Sequence, residues 1–475
     1  MASILPPLSG RRGERAILER LLGSQRSEFL AVYGRRRVGK TFLVRRFFQD
    51  RPVTYFEMVG RFEGSQADQL QIFADSLSST FYRDAPLAAF PDWHAAFRAL
   101  VRAIEERKGR RRRTVLFFDE LPWIDTHRSG FLRELEHFWN SWCSRRGDII
   151  LIACGSAASW MLRRIVNAKG GLHDRLTQTI RLLPFTLAET HEFFDARKVR
   201  LGLRDLIELY MILGGVPHYL DHVRRGRSVA QIVDELCFEK DGALRDEFDR
   251  LFASLFGSDK KHLAVVRALA KRRGGLDRNQ LLAAAGLPTG GGATAVFENL
   301  EQGGFIRSGV PFGKTERDRI FRLTDPFSLF HLRWIEGRKA SSWRHVHRTP
   351  AWQAWAGLGF EGLCLEHAPA IQRALGISGV RAEVSAWRSR DAQIDLLIDR
   401  ADGVITVCEM KFTAAPFRID KRYATELRDK LARFRDHTKT KKALQLVFVT
   451  SYGVEQNPYS DELVDQVLTM DVLVG

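Results

Sequence analysis

One octapeptide, Gly34-Arg35-Arg36-Arg37-Val38-Gly39-Lys40-Thr41, constrains this chain more than any other feature. It has the spacing G-x-x-x-x-G-K-S/T, follows the apolar run Phe29-Leu30-Ala31-Val32-Tyr33 and opens a helical pattern from Thr41 to Phe48. A loop between a buried strand and a helix N-terminus gathers backbone N–H groups around a phosphate, and the helix dipole adds positive potential there. Gly34 and Gly39 let the chain wrap closely with backbone angles that other residues avoid. On this reading Gly34, Arg35, Arg36, Arg37, Val38, Gly39 and Phe42 form the phosphate cradle. Lys40 reaches the β- and γ-phosphates of a nucleotide, and the Thr41 hydroxyl ligates Mg²⁺.

Such a site needs a second strand ending in a carboxylate, and Val115-Leu116-Phe117-Phe118-Asp119-Glu120 supplies it. An unbroken apolar run is what a strand buried on both faces requires. Asp119 at its carboxyl end holds the Mg²⁺ water shell, and Glu120 orients or deprotonates an attacking water. A third apolar run, Ile149–Cys154, ends in Gly155-Ser156, which places Ser156 between the loop and Asp119 as a sensor of the γ-phosphate. The candidate strands Phe29–Tyr33, Val53–Met58, Thr114–Asp119 and Ile149–Cys154 are each followed by a helical pattern. That alternation predicts a parallel α/β sheet over residues 1–185. Helical patterns dominate residues 186–257, broken at Gly214-Gly215-Val216-Pro217.

Together these motifs resemble the AAA-related, STAND-like P-loop ATPases of archaea and bacteria, which often carry a carboxyl-terminal nuclease-like domain. The segment Leu8-Ser9-Gly10-Arg11-Arg12-Gly13-Glu14 is similar to that family's Gly-Arg-x-x-Glu box. The resemblance implies that ATP is bound and hydrolysed and that Arg11 approaches the adenine side. It also implies that Pro217 of the Gly-Gly-x-Pro motif belongs to a helical lid, with His218 or Tyr219 following toward the nucleotide. An arginine that the family places after the sensor strand corresponds to Arg175, in cis or in trans. Here His173-Asp174 precede it where Tyr-Gly is usual.

Residues 258–338 read as three helices, Asp259–Lys271, Arg278–Ala285 and Ala293–Gln302, and a hairpin of Phe305–Ser308 with Ile320–Leu323. That order resembles a winged helix. Charge sharpens the reading, because 74 Lys and Arg against 57 Asp and Glu leave the chain at +17, which favours a polyanionic partner, DNA first. Residues 260–339 hold 15 basic and 7 acidic side chains, whereas residues 340–475 hold 18 and 17. The third helix has no Lys or Arg. The basic residues are Lys260, Lys261, Lys271, Arg272, Arg273, Lys314, Arg317 and Arg319, which suits phosphate tracking better than base readout. Packing between neighbouring domains is the alternative use of this module.

In residues 339–475, Ile394–Ile398 and Val404–Phe412 flank the turn Asp399-Arg400-Ala401-Asp402-Gly403. A hairpin centred on Asp402-Gly403 pairs residues whose numbers sum to about 804, so Asp395 stands opposite Glu409. Period two then sets Glu409 and Lys411 on one face. Two carboxylates can ligate Mg²⁺ or Mn²⁺, and a lysine can position water against a phosphodiester. This spacing resembles the PD-(D/E)xK nucleases, in which an upstream helix often adds a glutamate, here Glu361. Lys421 and Tyr423 lie on a following helix. A plain ion pair of Lys411 with Glu409 or Asp395 is the competing reading.

The expected fold is therefore α/β: a P-loop parallel-sheet ATPase with a helical lid, a winged-helix module and a carboxyl-terminal restriction-endonuclease-like domain. The expected function is an ATP-hydrolysing protein whose metal-dependent nuclease domain acts on DNA under ATP control. A signalling or scaffold ATPase, or a DNA-binding ATPase, with a non-cleaving carboxyl-terminal domain is the alternative. A homo-oligomer and a protein partner are further partner classes, and no membrane is expected, since no 18-residue apolar stretch occurs. Five scattered cysteines argue for reduced thiols in the cytoplasm.

Overall fold

The computed structural model describes residues 7–107, 113–167, 175–257, 260–272, 274–337 and 342–475. His173, Asp174, Ser258, Asp259 and Arg273 lie outside the described residues. The chain forms two compact units, residues 1–184 with 302–304, and residues 185–301 with 305–475.

In the first unit, helix α1 (Arg12–Gly23) precedes β1 (Glu28–Tyr33), which leads through the glycine-rich loop into α2 (Lys40–Gln49). The other strands are β2 (Thr54–Val59), β3 (Thr114–Asp119), β4 (Ile149–Gly155) and β5 (Gln178–Arg181). The sheet order is β2-β3-β4-β1-β5 and every pairing is parallel. Strands β1, β3 and β4 are buried along their whole length. This explains their unbroken apolar sequences: each strand has a core on either face. Period two sorts the side chains, since Phe29, Ala31, Leu116, Phe118, Leu151 and Ala153 enter one core. Leu30, Val32, Val115, Phe117, Ile150 and Ile152 enter the other. The expected strands are found within one residue at each end, and β5 is an addition that the sequence reading did not contain.

β4 lies between β1 and β3, so the loop after β1, the end of β3 and the residue after β4 share one edge of the sheet. Open parallel sheets bind ligands at such a point. Register aligns Tyr33 with Gly155 on one side and Arg181 on the other.

The second unit begins with helices Leu187–Ala196, Leu203–Leu213, Pro217–Leu220, Val229–Val233 and Glu247–Phe256. Thr186 and Glu189 close a capping box at the start of the first. Helices Lys260–Ala270, Arg278–Ala285 and Gly291–Gln302 follow, with an antiparallel sheet ordered β6 (Leu276–Asp277), β8 (Ile320–Leu323), β7 (Ile306–Gly309). Helix Pro350–Glu366 then leads to a mixed sheet of β9 (Ala382–Arg388), β10 (Gln393–Arg400), β11 (Val404–Lys411), β12 (Ala443–Thr450) and β13 (Gln466–Thr469). Its order is β13-β12-β11-β10-β9. The first three strands in sequence are antiparallel, whereas β12 pairs with β11 and β13 with β12 in parallel. Helix Lys421–Thr438 makes the crossover that a parallel β11–β12 pair needs and buries Ala424, Leu427 and Phe434.

One hydrophobic core runs from Phe185 to Leu473 and takes side chains from all three segments of this unit. All five cysteines are buried and free. Among the described residues no helix is long and apolar enough to cross a membrane.

Candidate functional site

The glycine-rich loop is shaped by a close approach at its first residue. Gly34 has φ +149°, and a Cβ there would stand 2.2 Å from the Leu182 carbonyl oxygen. At the other end Gly39 is the N-cap of α2 and offers no side chain to the first-turn N–H groups. These donors therefore face the loop, ready for an anion. Val38 is buried in the core beneath, and Arg35 is also buried. Phe42 is half-buried, Arg37 is exposed with φ +70°, and the Arg36 guanidinium lies 5.3 Å from the Trp123 ring centroid.

Lys40 is almost fully buried and donates to Gly34 O, Arg35 O and Ser156 Oγ, each at 2.9 Å. Burial pulls the pKa of its ammonium down, against the opposing fields of Glu120 and Asp119. Thr41 Oγ1 donates to Asp119 Oδ2 at 2.5 Å, so the two predicted Mg²⁺ ligands touch. An oxygen pair on a helix N-terminus and a strand end suits a hard cation, and these residues fit Mg²⁺. Glu120 follows with φ +49°. Its Oε1 accepts from Ser156 Oγ at 2.5 Å and its Oε2 from the Ser156 N–H at 3.1 Å. Arg11 is buried and donates from Nη2 to Val38 O at 3.1 Å, so this residue does reach the loop.

The structure thus joins Lys40, Thr41, Asp119, Glu120, Ser156 and Arg11 in one constellation. Arg175 is exposed, ahead of β5. Pro217 opens a short helix in the second unit. There a Cβ on Gly215 would come within 1.8 Å of Phe185 O, a close approach that only glycine permits. Tyr219 turns into that unit's core and its hydroxyl donates to Glu247 at 3.0 Å, while His218 is exposed. The Arg36–Trp123 contact, extended by Phe62 at 5.4 Å from Trp123, was not foreseen. No sequence spacing links residues 36, 62 and 123.

The carboxyl-terminal hairpin has the expected register, with Leu396 paired to Cys408 and Ile398 to Thr406. Glu409 is buried, and Lys411 Nζ stands 3.8 Å from its Oε2. The Tyr423 hydroxyl donates to the same oxygen at 3.1 Å, and Lys430 pairs with Oε1. Burial and then the Glu409 charge raise the Tyr423 pKa, and the field of Glu361 adds to this. Lys421 is exposed. Lys430 was missed, although it lies two helical turns beyond Tyr423 and so on the same helix face.

Asp395 is the departure. A register shift between Ile394 and Leu397 interrupts the pairing of β10 with β9 at this residue. Asp395 accepts from Gln393, and its charge acts on Arg322. Among the described residues no three His, Cys, Asp or Glu side chains are grouped to hold a metal ion. Asp395, Glu409 and Glu361 are not among such groups: the register shift falls at Asp395, and Lys411 and Lys430 pair with Glu409.

Comparison with known proteins agrees with the amino-terminal geometry. The family described as an ATPase domain predominantly from Archaea matches residues 9–223. An uncharacterised protein of Methanocaldococcus jannaschii is 23% identical over 402 residues, covering 82% of this chain and 83% of that protein. A Walker-type ATPase of Pyrococcus abyssi superposes with a TM-score of 0.50 at 18% identity, covering 70% of this chain and 99% of its own. Sheet order and glycine-rich loop give the amino-terminal unit the parallel α/β fold of P-loop ATPases, and the family match over residues 9–223 agrees with that fold.

Proposed function

We propose that this protein hydrolyses ATP at the site around Lys40, and that DNA is the partner on which the rest of the chain acts. The observation that carries the first half is the contact network Thr41–Asp119 and Lys40–Ser156–Glu120 at a helix N-terminus. Backbone N–H groups of the loop hold the phosphates, and Lys40 neutralises charge on the β- and γ-phosphates. Thr41 and Asp119 would hold Mg²⁺, which when bound offsets phosphate charge. Glu120 accepts a proton from the attacking water. Phosphate release from ATP is the direct measurement. Lys40→Ala is expected to lower turnover at least ~100-fold, since it removes a charge donor from the transferring phosphate. Turnover near that of the unaltered protein would overturn the assignment.

Support for DNA is the +17 charge together with the element order of the middle segment, three helices with the sheet β6-β8-β7, which resembles that of a winged helix. Lys260, Lys261, Lys271, Arg272, Lys314, Arg317 and Arg319 are the residues proposed to track phosphates, and Arg319 also pairs with Glu316. Affinity for duplex DNA should then fall steeply with salt.

A second reading, cleavage of DNA, is favoured by one observation, Glu409 and Lys411 on one face of a mixed sheet. The donor set counts against a metal held in the arrangement seen, because Glu409 is already neutralised by Lys411 and Lys430. Incubation with plasmid, ATP and Mg²⁺ or Mn²⁺ decides between cleavage and binding alone. Cleavage that disappears in Lys411→Ala supports a nuclease. Cleavage that persists in that variant refutes it.

A further inference from the structure

An ammonium group has three protons, and the protein takes all three from Lys40: Gly34 O, Arg35 O and Ser156 Oγ each accept at 2.9 Å. The Ser156 hydroxyl has one proton, which the 2.5 Å contact with Glu120 Oε1 uses. Toward Lys40 the same oxygen can only accept. The other Glu120 oxygen takes the Ser156 N–H at 3.1 Å, so both carboxylate oxygens are turned to Ser156. The result is a directed chain, Lys40 to Ser156 to Glu120, between a buried cation and the carboxylate proposed to activate water.

A phosphate that reaches Lys40 must displace one of the three acceptors. Gly34 O and Arg35 O belong to the backbone of the loop, and Gly34 is pinned against Leu182. The Ser156 hydroxyl turns about a single bond and is the acceptor that can yield. The rotation about Cα–Cβ that takes the Ser156 oxygen away from Lys40 also draws it off Glu120 Oε1, and leaves the carboxylate with the Ser156 N–H alone.

We propose that Ser156 is a positioning residue that couples phosphate binding at Lys40 to release of Glu120 toward water. This rests on the ATPase reading and deepens it: nucleotide binding competes with an internal hydrogen bond, and the same event frees the carboxylate. A sensor that only touches the γ-phosphate adds affinity for nucleotide, so its removal weakens binding. Here removal of the Ser156 hydroxyl strengthens it, and the two roles predict opposite signs.

Calorimetric titration of the full chain with ADP, with a β,γ-imido analogue of ATP and with AMP tests this. In Ser156→Ala, ADP and the analogue are expected to bind about tenfold tighter, the scale of one hydrogen bond to a charged group. AMP, which has no β-phosphate for Lys40, should bind as it does to the unaltered protein. Ser156→Thr retains the hydroxyl and should restore the original ADP affinity. Equal or weaker ADP binding by Ser156→Ala overturns the coupling. If that variant does not fold, Glu120→Gln is the second probe: it removes the charge that Ser156 bonds and should also tighten ADP, and unchanged affinity there overturns the proposal. Failure of the unaltered protein to bind any of these nucleotides or release phosphate would instead overturn the ATPase reading.

Discussion

A Glu120→Gln chain is expected to keep ATP bound and to lose hydrolysis by about 10²- to 10⁴-fold, the range that a positioned general base contributes. Glutamine has the volume of glutamate and accepts from Ser156 Oγ only as a weaker, neutral partner, so the loop and the Thr41–Asp119 pair are left in place. What is removed is the ability to take a proton from water. The left-handed backbone of Glu120, φ +49°, adds to the case that this residue is held for a purpose, because a non-glycine side chain there costs free energy. Measured phosphate release together with the ratio of ATP to ADP retained on the protein checks the expectation. Loss of turnover with ATP retained is the expected pattern, and turnover near that of the unaltered protein would assign the proton transfer elsewhere.

The second large effect is structural. Gly34→Ala is expected to destabilise the first unit by about 2–5 kcal/mol and to abolish nucleotide binding. The new Cβ would lie 2.2 Å from Leu182 O, and the backbone angle, φ +149°, is one that alanine disfavours. Neither partner has room to give, because Leu182 is fully buried and its N–H donates to Tyr33 O at 2.7 Å. Gly13→Ala is the contrasting substitution. Nothing lies within 4 Å of its Cβ position, and alanine in helix α1 should be neutral or add up to about 1 kcal/mol. Denaturant unfolding of the two variants, followed by nucleotide titration, separates the effects. A Gly34→Ala protein as stable as the Gly13→Ala protein would contradict the close approach.

What the sequence made legible was local or periodic. The strands β1, β3 and β4 announced themselves because each is buried on both faces, and the phosphate loop because its whole construction fits within eight residues. The hairpin register followed from Asp402-Gly403, since a tight turn fixes the pairing on both sides of it. The features that escaped depend on contacts between distant segments. Ser156 was foreseen near the phosphate, but its two-point hold on Glu120 was not. β5 is four residues long, too short for a periodic signal, yet the residue after it, Leu182, is what makes Gly34 obligatory. Asp395 is placed by strict alternation, and that pattern does not disclose the register shift between β10 and β9 that falls at this residue. Lys430 is one of many lysines, and only a helix face identifies it.

The continuous core of the second unit has a consequence for how such a chain can be taken apart. Phe238, Phe330, Trp334, Trp343 and Trp355 form one aromatic knot, with ring centroids 4.9–5.8 Å apart in the contacts Phe330–Trp343, Trp334–Trp343, Phe238–Trp343 and Phe330–Trp355. Phe238 belongs to residues 185–257, Phe330 and Trp334 to the segment that follows them, and Trp343 and Trp355 to the carboxyl-terminal segment. A cut near residue 339 would pass through this knot and leave both fragments with large aromatic faces in water. In gene-fusion terms, the three segments are not expected to behave as interchangeable cassettes. A chimera that exchanges the carboxyl-terminal sheet is expected to fold only if it carries its half of the knot with it.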